Sequence, residues 1–543
     1  MVTVAQVVAR TLVDLGVGTC FGVVGSGNFV LTNALRSHGV PFVATRHEGG
    51  AASMADGYSR VADVPGLVSV HQGCGLTNAM TGIAEAAKSR TPMLVLAADT
   101  AADAVLSNFN IDQDGLVRSV GAVAERVHGA ASAVADVQRA YRTAVQGRRT
   151  VVLNLPLDVQ GARLDAPEAA ATLRTPGPVR PSADSVAALQ EALAAAERPV
   201  FVVGRGGRHA GDQIAEVAAR AGALVATSAV ANGLFRGDDF DLGISGGFST
   251  PLTAELISDA DLIVAWGCAL NMWTMRHGTL IGAGAGVIQI DDDQSALGAN
   301  RPITLGIHGD CGATAADLLA TFGDERTGYR TAEVGRRLTA GRRWNDVATA
   351  DLSTADHIDP RVFSDLLDRA LPPERVVAVD SGNFMGYPST YLQVPDENGF
   401  VFTQAFQSIG LGLASGIGAM LAQPDRLAVV ATGDGGFLMG IAELETAVRL
   451  GRPMLVAVYD DAAYGAEVHH FGPDVDLGSV TFPDTDIAAL ARGFGANAVT
   501  VRSRADMTAV DRWLDSPAGV MVVDAKIASD GGAWWLAEAF TGH

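Results

Sequence analysis

Short runs of β-branched and other apolar residues recur along the chain, at residues 20–24, 67–70, 93–97, 150–155, 200–203, 262–266, 287–290, 376–379, 427–431, 454–459 and 520–523. Their apolar positions are consecutive rather than alternate, the pattern of parallel strands covered by helices on both faces. Between many of them lie Ala- and Leu-rich segments of helical length, such as 184–196 and 442–450. The repeating unit is therefore strand, crossover, strand, and it predicts an α/β chain of doubly wound parallel sheets. Two stretches break the rhythm. Residues 160–184 are rich in Ala and Pro, and residues 321–360 are charged and helical or loop-like. Read as linkers, they predict three domains, 1–165, 185–322 and 356–543, each an ordinary size for one sheet with its helices.

Composition narrows the class. With 48% hydrophobic and 18% charged residues over 543 positions, the chain can bury sizeable cores, so disorder is excluded. Lys plus Arg number 39 against 60 Asp plus Glu, and the formal charge of −21 repels nucleic acid and anionic lipid. Four cysteines without a Cys-x-x-Cys pair argue against a disulfide framework or structural zinc and suit a reducing cytosol. No basic start precedes an apolar core, so no secretory signal is visible and a cytoplasmic location is expected. The uncharged stretch 398–424 carries Gln404, Gln407, Ser408, Ser415 and repeated glycines, which fits a strand, a glycine-rich turn and a buried helix better than a bilayer span.

The sharpest chemical signal is Gly433-Asp434-Gly435-Gly436-Phe437, after the run 427–431 and before a helix expected to open near Ile441. Asp460-Asp461 end the next apolar run and lead into Ala462-Ala463-Tyr464-Gly465. Asp434 and Asp461 thus stand at carboxyl ends of neighbouring strands, where open α/β sheets bind ligands. Two hard oxygen ligands beside glycine-exposed amides suit Mg²⁺ with a diphosphate, and the same spacing also fits Asp as turn residue and helix cap.

Gly433-Asp434-Gly435, the twenty-seven residues from Asp434 to Asp461, and Tyr464-Gly465 resemble the thiamine diphosphate motif of the acetolactate synthase, pyruvate decarboxylase and benzoylformate decarboxylase superfamily. The amino-terminal part matches too: Arg46-His47-Glu48-Gly49-Gly50 looks like the segment holding that family's cofactor-activating glutamate, and Gly75-Leu76-Thr77-Asn78 and Ser408-Ile409-Gly410-Leu411-Gly412 fall at its two glycine turns. The resemblance implies a pyrimidine-binding, a central and a diphosphate-binding domain. It also implies that Glu48 hydrogen-bonds the aminopyrimidine, favouring the imino tautomer that removes the C2 proton to give an ylide. Asp434, Asp461 and the Ala463 carbonyl would hold Mg²⁺; Gly433, Gly435, Gly436 and Tyr464 would line the cofactor; Ile409 would be the wedge between its rings. Asp461 departs from the family's usual Asn.

On the substrate side, Ser26 and His71 match in register a serine and a histidine of the benzoylformate decarboxylase pocket. Glu467 matches a glutamate that assists protonation in pyruvate decarboxylase, and His470 follows at i, i+3. Each also has an ordinary structural reading, as a core imidazole or a solvated charge. The pyruvate decarboxylase histidine pair has no match, and Ala122 and His470 replace a lysine and a tryptophan usual in acetolactate synthases. Gly204-Arg205-Gly206-Gly207 and Gly267-Cys268 sit where some relatives bind flavin or ADP; such turns are weak evidence, and flavin is not the favoured cofactor. The implied function is decarboxylation of a 2-oxo acid, or C–C cleavage or ligation of a 2-hydroxy ketone, through an enamine. The alternatives are an acetolactate synthase-like carboligase and an inactive cofactor-binding regulatory subunit. The resemblance also implies a homodimer or homotetramer with Glu48 of one subunit facing a cofactor held by Asp434 of another.

Overall fold

A computed structural model describing residues 1–62, 64–165 and 176–539 resolves the apolar runs into three six-stranded sheets, every strand pair parallel. The first sheet runs Phe42–Ala44, Cys20–Gly22, Gly66–Val70, Met93–Asp99, Thr150–Pro156, Val123–Arg126. The third repeats that order with Phe400–Phe402, Arg375–Val379, Leu427–Gly433, Met454–Asp460, Val520–Lys526, Asn497–Val501. The central sheet differs, running Asp241–Ile244, Leu224–Thr227, Pro199–Val203, Leu262–Trp266, Gly286–Asp291, Leu305–His308. In each, the strand order reverses at one point, and crevices at such reversals are where doubly wound sheets bind ligands. A small antiparallel pair, Val2–Thr3 with Arg163–Leu164, ties together the two ends of the first unit.

Every run read from the sequence falls on a strand, although the first runs two residues past Cys20–Gly22, and the inner strands are buried except at Gly286 and Gly433, one end each of two of them. Strands that the pattern did not mark are Phe42–Ala44, Val123–Arg126, Asp241–Ile244, Leu305–His308 and Asn497–Val501, all at sheet edges, and the inner Leu224–Thr227. Edge strands are short and covered on fewer sides, so they lose the continuous apolar signature. The stretch 398–424 forms the strand Phe400–Phe402, a turn, and the helix Gly412–Ala422. The helix expected to open near Ile441 is present as Ala442–Leu450, and a short helix not expected, Asp434–Gly440, precedes it with Asp434 as its first residue. Of the first linker, residues 166–175 lie outside the described residues; the second contains the helix Ala332–Gly341. No helix among the described residues is long and apolar enough to cross a membrane.

The first and third units pack directly on each other within the chain. The helix Glu48–Val61 lies against Gly412–Ala422 at glycine contacts: a Cβ on Gly57 would stand 2.2 Å from the Ser415 carbonyl oxygen, and one on Gly418 1.9 Å from that of Met54. Arg60 seals the same junction, pairing at 2.7 Å with both Asp56 and Glu85 and donating to the Phe402 carbonyl.

Candidate active site

The reversal in the third sheet falls between Arg375–Val379 and Leu427–Gly433, and polar residues gather at its carboxyl edge. Asp434 and Asp461 are brought together there, close enough to interact electrostatically. Burial raises both above the ordinary carboxylate range, with repulsion from Asp461 and Asp460 adding at Asp434 and repulsion from Asp460 adding at Asp461. Such a pair is suited to a divalent cation, whose charge removes the repulsion. Among the described residues no three His, Cys, Asp or Glu side chains converge as a metal cluster.

The neighbouring Asp460 is differently engaged: Lys526 Nζ binds it at 2.6 Å and the Ala462 amide donates to it at 3.0 Å. Ala462 adopts a left-handed φ of 52°, which reverses the chain so that successive residues face opposite ways. The bonds flanking Ala463 run from Tyr464 N to the Val480 carbonyl and from Phe482 N to the Ala462 carbonyl, which leaves the Ala463 carbonyl outside the ladder. Gly465 is required where it stands, because a Cβ there would meet Asp461 Oδ2 at 2.2 Å. Tyr464 packs over Gly435, whose added Cβ would lie 2.7 Å from its ring.

Two residues in this cluster had no motif to announce them. Asn383 is buried beside Gly465, and its Oδ1 has no hydrogen-bond partner. A buried amide oxygen left unsatisfied in the protein is an acceptor prepared for a ligand donor or a cation. Asp380, fully buried at the end of Arg375–Val379, accepts from the amides of Ser381, Gly410 and Leu411 and from Thr432 Oγ1. Burial pushes its carboxyl up to about 6. It fixes the turn bearing Ile409, whose next residue Gly410 has φ 89°. It also lies against the first turn of Asp434–Gly440, where a Cβ on Gly436 would come within 2.6 Å of Asp380 Oδ2.

In the first sheet the reversal lies between Cys20–Gly22 and Gly66–Val70, and Ser26 and His71 follow these two strands. Ser26 Oγ is 3.4 Å from His71 Nε2, and Nδ1 is 3.0 Å from the Gln72 carbonyl. A carbonyl only accepts, so Nδ1 carries the hydrogen in the neutral ring and Nε2 presents its lone pair to Ser26. Phe109 meets the imidazole edge-on at 4.9 Å between centroids. Glu48 opens its helix, 9% exposed, and accepts from Asn78 Nδ2 at 3.1 Å. A Cβ on Gly75 would touch both His71 and Glu48, so these groups line one small region. Glu443 of the third unit anchors it by accepting from the Arg46 and His47 amides.

Glu467 and His470 share the helix Gly465–Phe471 directly after the Asp461 turn; His470 is exposed and meets Phe471 edge-on. The structure therefore gathers Asp434, Asp461, Ala463, Tyr464 and Ile409 on one unit, and Glu48, Ser26 and His71 on another. No hydrogen bond among the described residues joins Glu48 to Asp434 or Asp461. The residues at each half fit the implied groups: paired hard carboxylates, a carbonyl outside the ladder and an unpartnered amide oxygen for Mg²⁺, and a buried, oriented carboxylate for a heterocycle.

Comparison with known proteins agrees. Residues 2–117 match the N-terminal TPP binding domain, 186–318 the central domain and 380–525 the C-terminal TPP binding domain of thiamine pyrophosphate enzymes. The chain is 29% identical to a probable 2-ketoarginine decarboxylase of Pseudomonas aeruginosa, over 97% of this chain and 94% of that protein. It is 27% identical to a sulfoacetaldehyde acetyltransferase of Rhodobacter capsulatus, over 99% and 96%. With a putative acetolactate synthase large subunit of Mycobacterium tuberculosis it shares 29% identity over 92% of both. Three sheets that coincide with three matched domains, and two ligand-ready sheet reversals that fall in the two cofactor-binding ones, lead to one conclusion: the chain belongs to the thiamine pyrophosphate enzyme family, in its decarboxylase and acetolactate synthase-like branch.

Proposed function

We propose that this chain is a thiamine diphosphate- and Mg²⁺-dependent decarboxylase of a 2-oxo acid, able to release or ligate the resulting carbonyl product. The observation that carries the reading is the pairing of Asp434 with Asp461 beside the unpartnered amide of Asn383. Asp434, Asp461 and the Ala463 carbonyl would hold Mg²⁺, and the unpartnered Asn383 Oδ1 would accept from a donor of the bound cofactor. When bound, thiamine diphosphate supplies a carbon nucleophile and an electron sink. Glu48, oriented by Asn78, holds or passes the proton at the aminopyrimidine ring. Ile409, whose turn Asp380 holds, would serve as the wedge against the cofactor. Ser26 and His71 orient the substrate, and Glu467 and His470 move protons at the product-forming carbon.

Apolar residues stand exposed around both halves: Phe29, Leu106 and Phe109 on the first unit, and Met439, Tyr464 and Phe471 on the third. Their number supports a homodimer or homotetramer in which one subunit's Glu48 half covers another's Asp434 half.

A cavity of about 310 Å³ opens where all three units meet, with Ser228 Oγ and Gln404 Nε2 buried and unpartnered in its wall. These groups fit the polar part of a nucleotide. Flavin stays the less favoured occupant, and visible absorption of the purified protein decides it.

The test of the activity is a panel of 2-oxo acids including 2-ketoarginine and pyruvate, with and without sulfoacetaldehyde as acceptor, following CO₂ and carbonyl products. Thiamine diphosphate-dependent CO₂ release with an aldehyde product is expected. An acetolactate-type carboligase, the second reading supported by the Mycobacterium relative, would instead release CO₂ and couple two pyruvates. No turnover by a cofactor-loaded protein would identify a regulatory subunit.

A further inference from the structure

A second cavity, of about 300 Å³, lies away from both halves of the active site, between the central unit, the connecting segment and the third unit. Its walls come from residues 232–250, 342–344 and 389–394. Three arginines line it, and each uses one donor on a neutral oxygen: Arg236 on the Val394 carbonyl at 2.5 Å, Arg342 on the Asp238 carbonyl at 2.9 Å, and Arg343 on Gln393 Oε1 at 2.5 Å. A guanidinium carries five donors, so most of their capacity is unspent. None of the three makes an ion pair with a carboxylate among the described residues. The sole carboxylate in the lining is Asp241, which accepts from the Gly243 amide at 2.8 Å and lies within the field of Arg342 and Arg343 without forming an ion pair with either. The hydroxyls of Thr250 and Ser389 are likewise committed, to the carbonyls of Gly341 and Met385.

The lining therefore carries three positive charges against one negative, in a chain whose formal charge is −21. Arginine donors converging from separate segments match an oxyanion with several acceptor oxygens, since charge-assisted guanidinium–phosphate bonds are among the stronger hydrogen bonds. We propose that this cleft binds a compact oxyanion, free phosphate or a phosphate monoester, bridging Arg236 of the central unit to Arg342 and Arg343 of the connecting segment. Bound there, the anion ties the central unit to the segment leading into the third. It makes that junction more rigid without touching the cofactor.

The test is titration calorimetry on the holoenzyme, loaded with thiamine diphosphate and Mg²⁺ so that the diphosphate site is filled. The probes are inorganic phosphate and glycerol 3-phosphate at constant ionic strength set with chloride. One saturable site per chain is expected, weakened about tenfold or more in Arg342→Gln and in Arg236→Gln, in line with the loss of a charge-assisted contact. Two variants guard against misfolding of either. Tighter binding of glycerol 3-phosphate identifies a monoester ligand, and equal or weaker binding identifies free phosphate. Absence of a saturable heat with both probes, or a site untouched by both folded variants, overturns the proposal.

Discussion

Glu48, Asp434 and Asp461 illustrate how far single residues carry the account. In Glu48→Gln the amide keeps the contact with Asn78 but poorly supports the imino tautomer. The variant should fold and bind cofactor, yet proton exchange at C2 of bound thiamine diphosphate, read by NMR after acid quench, should slow by orders of magnitude. Asp434→Ala removes a hard ligand and should abolish cofactor retention on gel filtration. Asp461→Asn keeps an oxygen ligand and should retain it; equal loss in both would show that this site needs two carboxylates. The raised carboxyls also set a pH dependence. Held above their unfolded values, they favour the metal-free fold at low pH, and that contribution falls as pH rises through the raised values. Mg²⁺ competes with the same protons. Its affinity should therefore rise between about pH 6 and 8, the range to which Asp461 and Asp434 are raised, with proton release measurable by calorimetry in two buffers. The sequence made the carboxylate pair legible through its glycines. Asn383 and Asp380 were silent, because a polar residue after a strand looks like any turn residue until its buried, unpaired or fully bonded state is seen.

At the scale of elements, inner strands were legible and edge strands were not. The run 454–459 has both faces covered and reads as apolar throughout, whereas Val123–Arg126 ends in charged residues at a sheet edge. The helical start of Asp434–Gly440 was obscured by its glycines, which sequence reasoning reads as a turn. They are there for close approach: Gly436 to Asp380, and Gly435 to Tyr464. The same logic governs the helix pair between the first and third units. Gly418→Ala places a methyl group 1.9 Å from the Met54 carbonyl oxygen, so the backbones must part. Overpacking of this kind costs about 1–3 kcal/mol. Urea unfolding of the variant should show a matching loss, and Gly323→Ala, where the added Cβ meets nothing within 4 Å, should not.

For the whole molecule, the three-unit organisation followed from chain rhythm, but the contact between the first and third units did not. Breaks in the pattern show where sheets end and nothing about which faces meet; that depends on glycines 57 and 418 and on buried Arg60. Within one chain these contacts bring the two cofactor-binding units together through their helices, while Glu48 bonds Asn78 and Asp434 pairs with Asp461. On the proposed function, a site using both halves is completed by a second copy. The most direct measurement is activity after mixing Glu48→Gln with Asp434→Ala, each inactive alone, under conditions where subunit exchange is proven by mass. Hybrid dimers with one intact site should restore part of the wild-type C2 exchange. No recovery despite exchange, or an active monomer in sedimentation, would contradict a site shared between subunits.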